Sequence, residues 1–258
     1  MHNSGISTTI GPLLGSVVAS IWDVYLVFVL LIIIGCIALV WTLITLKETL
    51  SLQNKLKYNF KEILYNILRD KSFWIYGGLI GIVNGVIFSY YGQAPFIFIN
   101  HFNFSIVEYG LIGFIVALGS FFGAQLCKKM SSSKSNQKIL SMGNILFFSG
   151  VFLFISSVIF LSFSHTLLIL AILLSIFIIF LGLACMLPIC LSNALVNHKN
   201  YLGFSGAILG LYYYLIVGLI IYLMSSILPS SSLLAFPLYL LFFFLVNSIL
   251  IYSNKKQQ

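Results

Sequence analysis

Charge is what this sequence has least of. Only 7% of its 258 residues are Asp, Glu, Lys or Arg, and five are acidic. Soluble domains carry about 25% charged residues, so a water-exposed globular fold is excluded. The sequence also lacks long alternating strand patterns, which removes a transmembrane β-barrel. Cys36, Cys127, Cys185 and Cys190 lie in or beside apolar runs without metal-ligand spacing. They read as small apolar core residues. No His, Cys and carboxylate cluster forms elsewhere, so neither a metal nor a cofactor is expected. The chain start lacks the basic residues of a cleavable signal peptide, and its first apolar run leads on into further runs.

What is present instead is apolar surface, at 60% of residues. Its solvent must be a bilayer, the first expected partner, whose hydrocarbon takes a helix of roughly 20 apolar residues to cross. Eight spans are expected, at Ile6–Trp22, Tyr25–Leu46, Phe73–Phe98, Tyr109–Cys127, Ile139–Phe163, Thr166–Val196, Leu202–Leu228 and Leu233–Tyr252.

The net charge of +8 suggests nucleic acid until the basic residues are placed. Lys47, Lys55, Lys57, Lys61, Arg69 and Lys71 lie between spans two and three. Lys128, Lys129, Lys134 and Lys138 lie between four and five, Lys199 between six and seven, and Lys255 and Lys256 after the last. The alternate connections have no Lys or Arg. Basic loops are retained in the cytoplasm, so both termini are expected there and no nucleic-acid partner is. Lysine far outnumbers the single Arg69, and Ile and Asn are frequent, which fits an AT-rich bacterial genome and hence a bacterial inner membrane. In the longest loop, Leu56, Phe60, Ile63, Leu64, Ile67 and Leu68 recur at helical spacing. That amphipathic helix either lies among lipid headgroups or packs on the ends of the bundle.

No carboxylate, Lys or Arg falls deep within a span. Asp23 can cap the second span, and Glu108 follows Ser105 at capping-box spacing. The polar groups that do lie inside are neutral, and buried amides need partners on other helices or around a wet cavity. Asn84, Ser89, Tyr90, Tyr91 and Gln93, close to Pro95, concentrate polarity and aromatic faces on one segment and read as cavity-lining. Asn193 and Tyr213 are further candidates. Glycines four apart (Gly11 and Gly15; Gly77, Gly81 and Gly85; Gly119 and Gly123; Gly206 and Gly210) let helix backbones approach closely. Pro12, Pro95 and Pro188 are expected to kink their helices. Gly203-Phe204-Ser205-Gly206 could suggest an intramembrane serine protease, but no His follows Ser205 to act as its base. No enzyme is expected.

Gly11-Pro12-Leu13-Leu14-Gly15-Ser16 resembles the antiporter motif in the fifth helix of major facilitator superfamily drug:proton antiporters. From Leu26-Val27-Phe28 to Lys47-Glu48-Thr49-Leu50 the chain resembles that superfamily's fifth and sixth helices and the start of its central loop. Ala94-Pro95-Phe96, Phe104-Ser105 and Tyr109-Gly110 resemble the seventh and eighth helices of its bicyclomycin/chloramphenicol-resistance (Bcr/CflA) branch. Pro188, Asn193-Ala194-Leu195, Gly203-Phe204-Ser205-Gly206-Ala207 and Gly210 resemble the tenth and eleventh. Val24-Tyr25 stands where the family has Trp-Arg.

The resemblance implies an all-α membrane bundle equivalent to helices five to twelve, without the first four. Residues 1–46 would be the last two helices of the N-terminal half, 47–72 a linker with the amphipathic helix, and 73–258 the six-helix C-terminal half. Gly11, Pro12 and Gly15 would shape helix packing. The activity implied is export of small lipophilic drugs in exchange for protons, with a separate N-terminal half as a further partner. The alternative is a non-transporting remnant, or a membrane protein that assembles with another chain.

Overall fold

The structure is a computed structural model that describes residues 15, 18, 24–46, 60–161, 163–228 and 232–255. The described residues form helices α1 (Val24–Thr45), α2 (Phe60–Arg69), α3 (Lys71–Pro95), α4 (Ile106–Ser131), α5 (Asn136–Phe160), α6 (His165–Leu195), α7 (Leu202–Ile227) and α8 (Ala235–Lys255). All but α2 are long and apolar enough to cross a membrane. They coincide with the second to eighth expected spans; the first, apart from Gly15 and Val18, lies outside the described residues, as do Gly11, Pro12 and the linker before α2.

Local chemistry sets the helix ends. The Asp70 side chain caps α3 by accepting from the Ser72 and Phe73 amides at 2.9 and 3.2 Å. Ser105 and Glu108 close the expected capping box on α4, where the Ser105 amide donates to Glu108 Oε2 at 2.8 Å. Pro95 has no N–H to donate, and beyond it the hydrogen-bond ladder shifts to a π-helical turn over Phe96–His101. Asn103 then adopts φ 57°, a left-handed conformation that asparagine tolerates, and the chain turns into α4. A 3-10 segment, Val196–Tyr201, divides α6 from α7, with His198 at non-helical φ −118° and ψ 26°. Pro188 is accommodated inside α6, which stays helical to Leu195.

α6 is the central post of the bundle, packed by α4 and α5 and also by α3. Glycine makes the first two contacts possible. A β-carbon on Gly119 of α4 would stand 2.6 Å from the Phe177 carbonyl oxygen of α6, and Gly123 sits as tightly on Leu181. Gly182 of α6 approaches the Gly143 carbonyl of α5 in the same way, at 2.5 Å from its would-be β-carbon. On the other side, Gly77, Gly81 and Gly85 of α3 receive a ridge of Tyr212, Ile216 and Ile220 from α7. Both are four-residue repeats, so the glycine groove and the side-chain ridge run in register. Gly206 and Gly210 behave otherwise: a β-carbon at either would meet open space. The expectation that this pair mediates close packing does not hold among the described residues, because the helix face carrying it lies away from α3.

α8 covers the back of α3 and α5. A polar link holds it there: Asn247 Nδ2 donates to Asn144 Oδ1 at 2.8 Å, and Asn144 Nδ2 donates to Ser248 Oγ at 2.8 Å. Asn247 is fully buried, and Asn144 supplies its Nδ2 with the acceptor that lipid cannot, while among the described residues its Oδ1 has no donor. Further ties lie at one end of the bundle. Asn136 donates to Asn193 at 3.1 Å, joining the start of α5 to the end of α6. Gln137 donates to the Ile251 carbonyl at 2.8 Å, joining α5 to the end of α8. Lys71, Lys134, Lys138 and Lys199 flank these ties, so we call this the basic end.

α2 packs on that end. Ile63 and Ile67 are buried in the common core, and Trp74 Nε1 of α3 donates to the Leu68 carbonyl at 3.2 Å. Of the two placements open from the sequence, packing on the bundle is the one observed. α1 stands apart: none of its described side chains is buried.

Candidate functional site

The polar and aromatic residues of α3 follow one another in sequence, but helical geometry deals them to different sides. Ser89 turns to α8, where the Tyr239 hydroxyl lies 3.3 Å away and itself donates to the Ile220 carbonyl at 2.6 Å. Tyr90 turns to α6 and is buried, its ring edge-on to Phe180 at 5.1 Å. Gln93 is also buried. Tyr91 is half-buried, with its ring 5.6 Å from Tyr90 and 6.3 Å from Phe180.

The bundle leaves one stripe of α3 uncovered. Asn84, Phe88, Tyr91 and Pro95 recur at intervals of four, three and four, which places them on a single helix face. Phe88 is exposed and the other three are half-buried, on a helix whose remaining faces are occupied by α6, α7 and α8. Asn84 returns its amide to the Ile80 carbonyl of its own helix at 2.9 Å, leaving the side-chain oxygen as the acceptor the stripe can offer. Tyr109, at the start of α4, adds a third phenol close to Tyr90 and Tyr91. The stripe therefore offers aromatic faces, hydroxyls and one amide, without charge. Such a surface can hold an apolar ring and hydrogen-bond a polar substituent.

The other sequence candidates lie elsewhere. Asn193 sits at the basic end, donating to the Ile189 carbonyl at 2.7 Å and accepting from Asn136. Tyr213 is on α7 beside Tyr214, with ring centroids 4.4 Å apart, near the level where Tyr212 meets Trp74. Neither is brought to the Tyr90–Tyr91 group. Gly15 is in ordinary contact with α1, its would-be β-carbon 4.0 Å from Val27 Cγ1. Phe180 and Tyr109 belong to the group but carried no sequence signal, since the chain has 24 phenylalanines and 14 tyrosines. Among the described residues, no three His, Cys, Asp or Glu side chains gather as a metal site.

The chain is similar to known proteins over most of its length. It is 30% identical over 227 residues to an uncharacterized transporter of Rickettsia felis, covering 85% of this chain and 56% of that protein. It is 27% identical over 173 residues to an uncharacterized transporter of Rickettsia bellii, covering 64% of this chain and 42% of that one. The chain thus spans about half the length of the curated relatives it matches. The sequence model of the Major Facilitator Superfamily matches residues 4–221. With that match across the helices just described, the chain belongs to the major facilitator superfamily.

Proposed function

We propose that the chain forms part of a transporter that exports small lipophilic drug-like molecules, exchanging them for protons across a bacterial inner membrane. In this reading the basic end is cytoplasmic, with both termini on that side. Helices equivalent to the superfamily's first four, whichever chain carries them, complete the transporter. The branch it falls in is the bicyclomycin/chloramphenicol-resistance one.

The observation that carries the reading is the uncovered stripe Asn84–Phe88–Tyr91–Pro95 on an otherwise enclosed helix. A lipid-facing surface gains nothing from an amide, whereas a surface facing a second half across a cavity does. Its neutrality favours uncharged or weakly basic aromatic solutes, which aromatic faces hold without a carboxylate. Proton exchange rests on the antiporter-like segment Gly11–Ser16.

The test is accumulation of ethidium and chloramphenicol in cells expressing the chain alone or with a four-helix N-terminal segment. The reading predicts lowered accumulation only with the segment, abolished by a protonophore. Unchanged accumulation in both cases would favour the alternative, a non-transporting membrane protein that assembles with other chains. Export by residues 1–258 alone would contradict the need for those four helices.

A further inference from the structure

The four-residue steps that seat α4 on α6 do not stop at glycine. Gly119 meets the Phe177 carbonyl, and one turn later Gly123 meets the Leu181 carbonyl, with its would-be β-carbon also 2.9 Å from the Ala184 β-carbon. The next step on each helix is a cysteine: Cys127 follows Gly123 by four residues, and Cys185 follows Leu181 by four. Both cysteines are free and buried. Their thiols lie close enough to interact directly, as the shared register requires. The pair stands near the basic end. Ser131, one turn beyond Cys127, is exposed there, with its hydroxyl 3.9 Å from Cys127 Sγ.

The other two cysteines are placed differently. Cys36 is exposed on α1. Cys190 is buried on α6, but lying five residues beyond Cys185 it is turned about 140° around the helix. A disulfide needs β-carbons about 3.5–4.5 Å apart and α-carbons about 4.4–6.8 Å apart. At Gly123 the two helices are already tighter than that. Packing has therefore made the approach that a bond one turn further on needs.

We propose that Cys127 and Cys185 are an oxidisable pair, a modification site at which hydrogen peroxide closes a disulfide between α4 and α6. The Cys127 sulfur, the one nearer the exposed end of α4, attacks a peroxide oxygen. The O–O bond breaks, and the departing hydroxide takes the thiol proton and leaves as water. Cys127 is then a sulfenic acid. The Cys185 sulfur attacks it, the S–O bond breaks, and the hydroxyl leaves with the Cys185 proton as a second water. Two thiols are oxidised, and one peroxide is reduced to two waters. With the disulfide closed, α4 can no longer shift on α6 at that end, and a thiol reductant reopens the bond. The inference concerns the chain's own thiols, so it stands or falls independently of what is transported.

Counting free thiols tests the pair. The full 258-residue chain, in bacterial membranes, is treated with hydrogen peroxide and dissolved in denaturing detergent. Remaining thiols are then labelled with a maleimide carrying a polyethylene glycol chain, whose adducts separate on a gel. The native chain should carry four adducts before peroxide, two after it and four again after dithiothreitol, and it should stay a monomer. Cys190→Ala should fall from three adducts to one, since it keeps the pair. Cys127→Ala and Cys185→Ala should not lose two adducts together. Four adducts on the native chain after peroxide would overturn the proposal. So would a pair still lost from Cys185→Ala, or a disulfide-linked dimer in place of the monomer. The Cys190→Ala chain keeps the test decisive even where Cys185→Ala fails to fold.

Discussion

Gly119 of α4 rests on the carbonyl oxygen of Phe177 in α6, with no room between them for a β-carbon. That contact, repeated at Gly123 and Leu181, is what lets α4 lie against the central helix. A backbone oxygen cannot move aside as a side-chain tip can. Gly119→Ala should therefore separate the helices and destabilise the chain by about 1–3 kcal/mol, the usual cost of overpacking. Gly206→Ala and Gly210→Ala, which meet open space, should change stability little. Thermal unfolding in detergent, followed by the loss of monodisperse protein, separates the two groups.

The Asn144–Asn247 link makes a different demand. Asn247 is fully buried, so truncating either amide strands the other in an apolar setting. Asn247→Ala and Asn144→Ala should each lower stability by about 0.5–2 kcal/mol, the range found for hydrogen bonds between membrane helices. The double variant should cost less than the two losses added. Strict additivity in that cycle would mean that the amides do not hold α8 to α5.

α2 gives a prediction about placement. Ile67 is fully buried and Leu68, its neighbour, is exposed. If the helix is docked on the bundle, Ile67→Ala should cost about 2–4 kcal/mol by leaving a cavity, and Leu68→Ala should cost far less. A helix merely floating among headgroups would show similar small effects for both.

The stripe on α3 predicts a split between function and folding. Tyr91 is half-buried on the uncovered face, whereas Tyr90 is enclosed against Phe180. In the completed transporter, Tyr91→Ala should reduce ethidium efflux about 2–10-fold, matching the worth of one aromatic contact, with little loss of folded protein. Tyr90→Ala should instead reduce the amount of folded protein. Efflux rates normalised to the protein in the membrane distinguish them.

How much could be read from the sequence follows from what each signal encodes. Apolar length and the Ser105–Glu108 spacing are local, and both reappear as spans and as a capping box. Glycine spacing reports only that a helix face is smooth. At Gly77, Gly81 and Gly85 another helix fills that face, and at Gly206 and Gly210 none of the described residues does. Neighbours in sequence are also poor guides to a site. Ser89, Tyr90 and Tyr91 point to α8, to α6 and to the open stripe in turn, because each residue advances about 100° around the helix. The 3.0 Å approach of His198 Nε2 to Asp70 Oδ2 was not legible at all, since two polar residues in separate connections carry no mark of their meeting.

The most direct measurement of the account is which side of the membrane each connection occupies. Single cysteines at N103C, K134C, H165C and K199C, in a chain otherwise free of cysteine, are exposed to a membrane-impermeant maleimide outside intact bacterial cells. The account predicts labelling at positions 103 and 165 and protection at 134 and 199 until the cells are permeabilised. Labelling of 134 from outside, or of 134 and 199 from opposite sides, would break the up-and-down order of the helices on which every other conclusion stands.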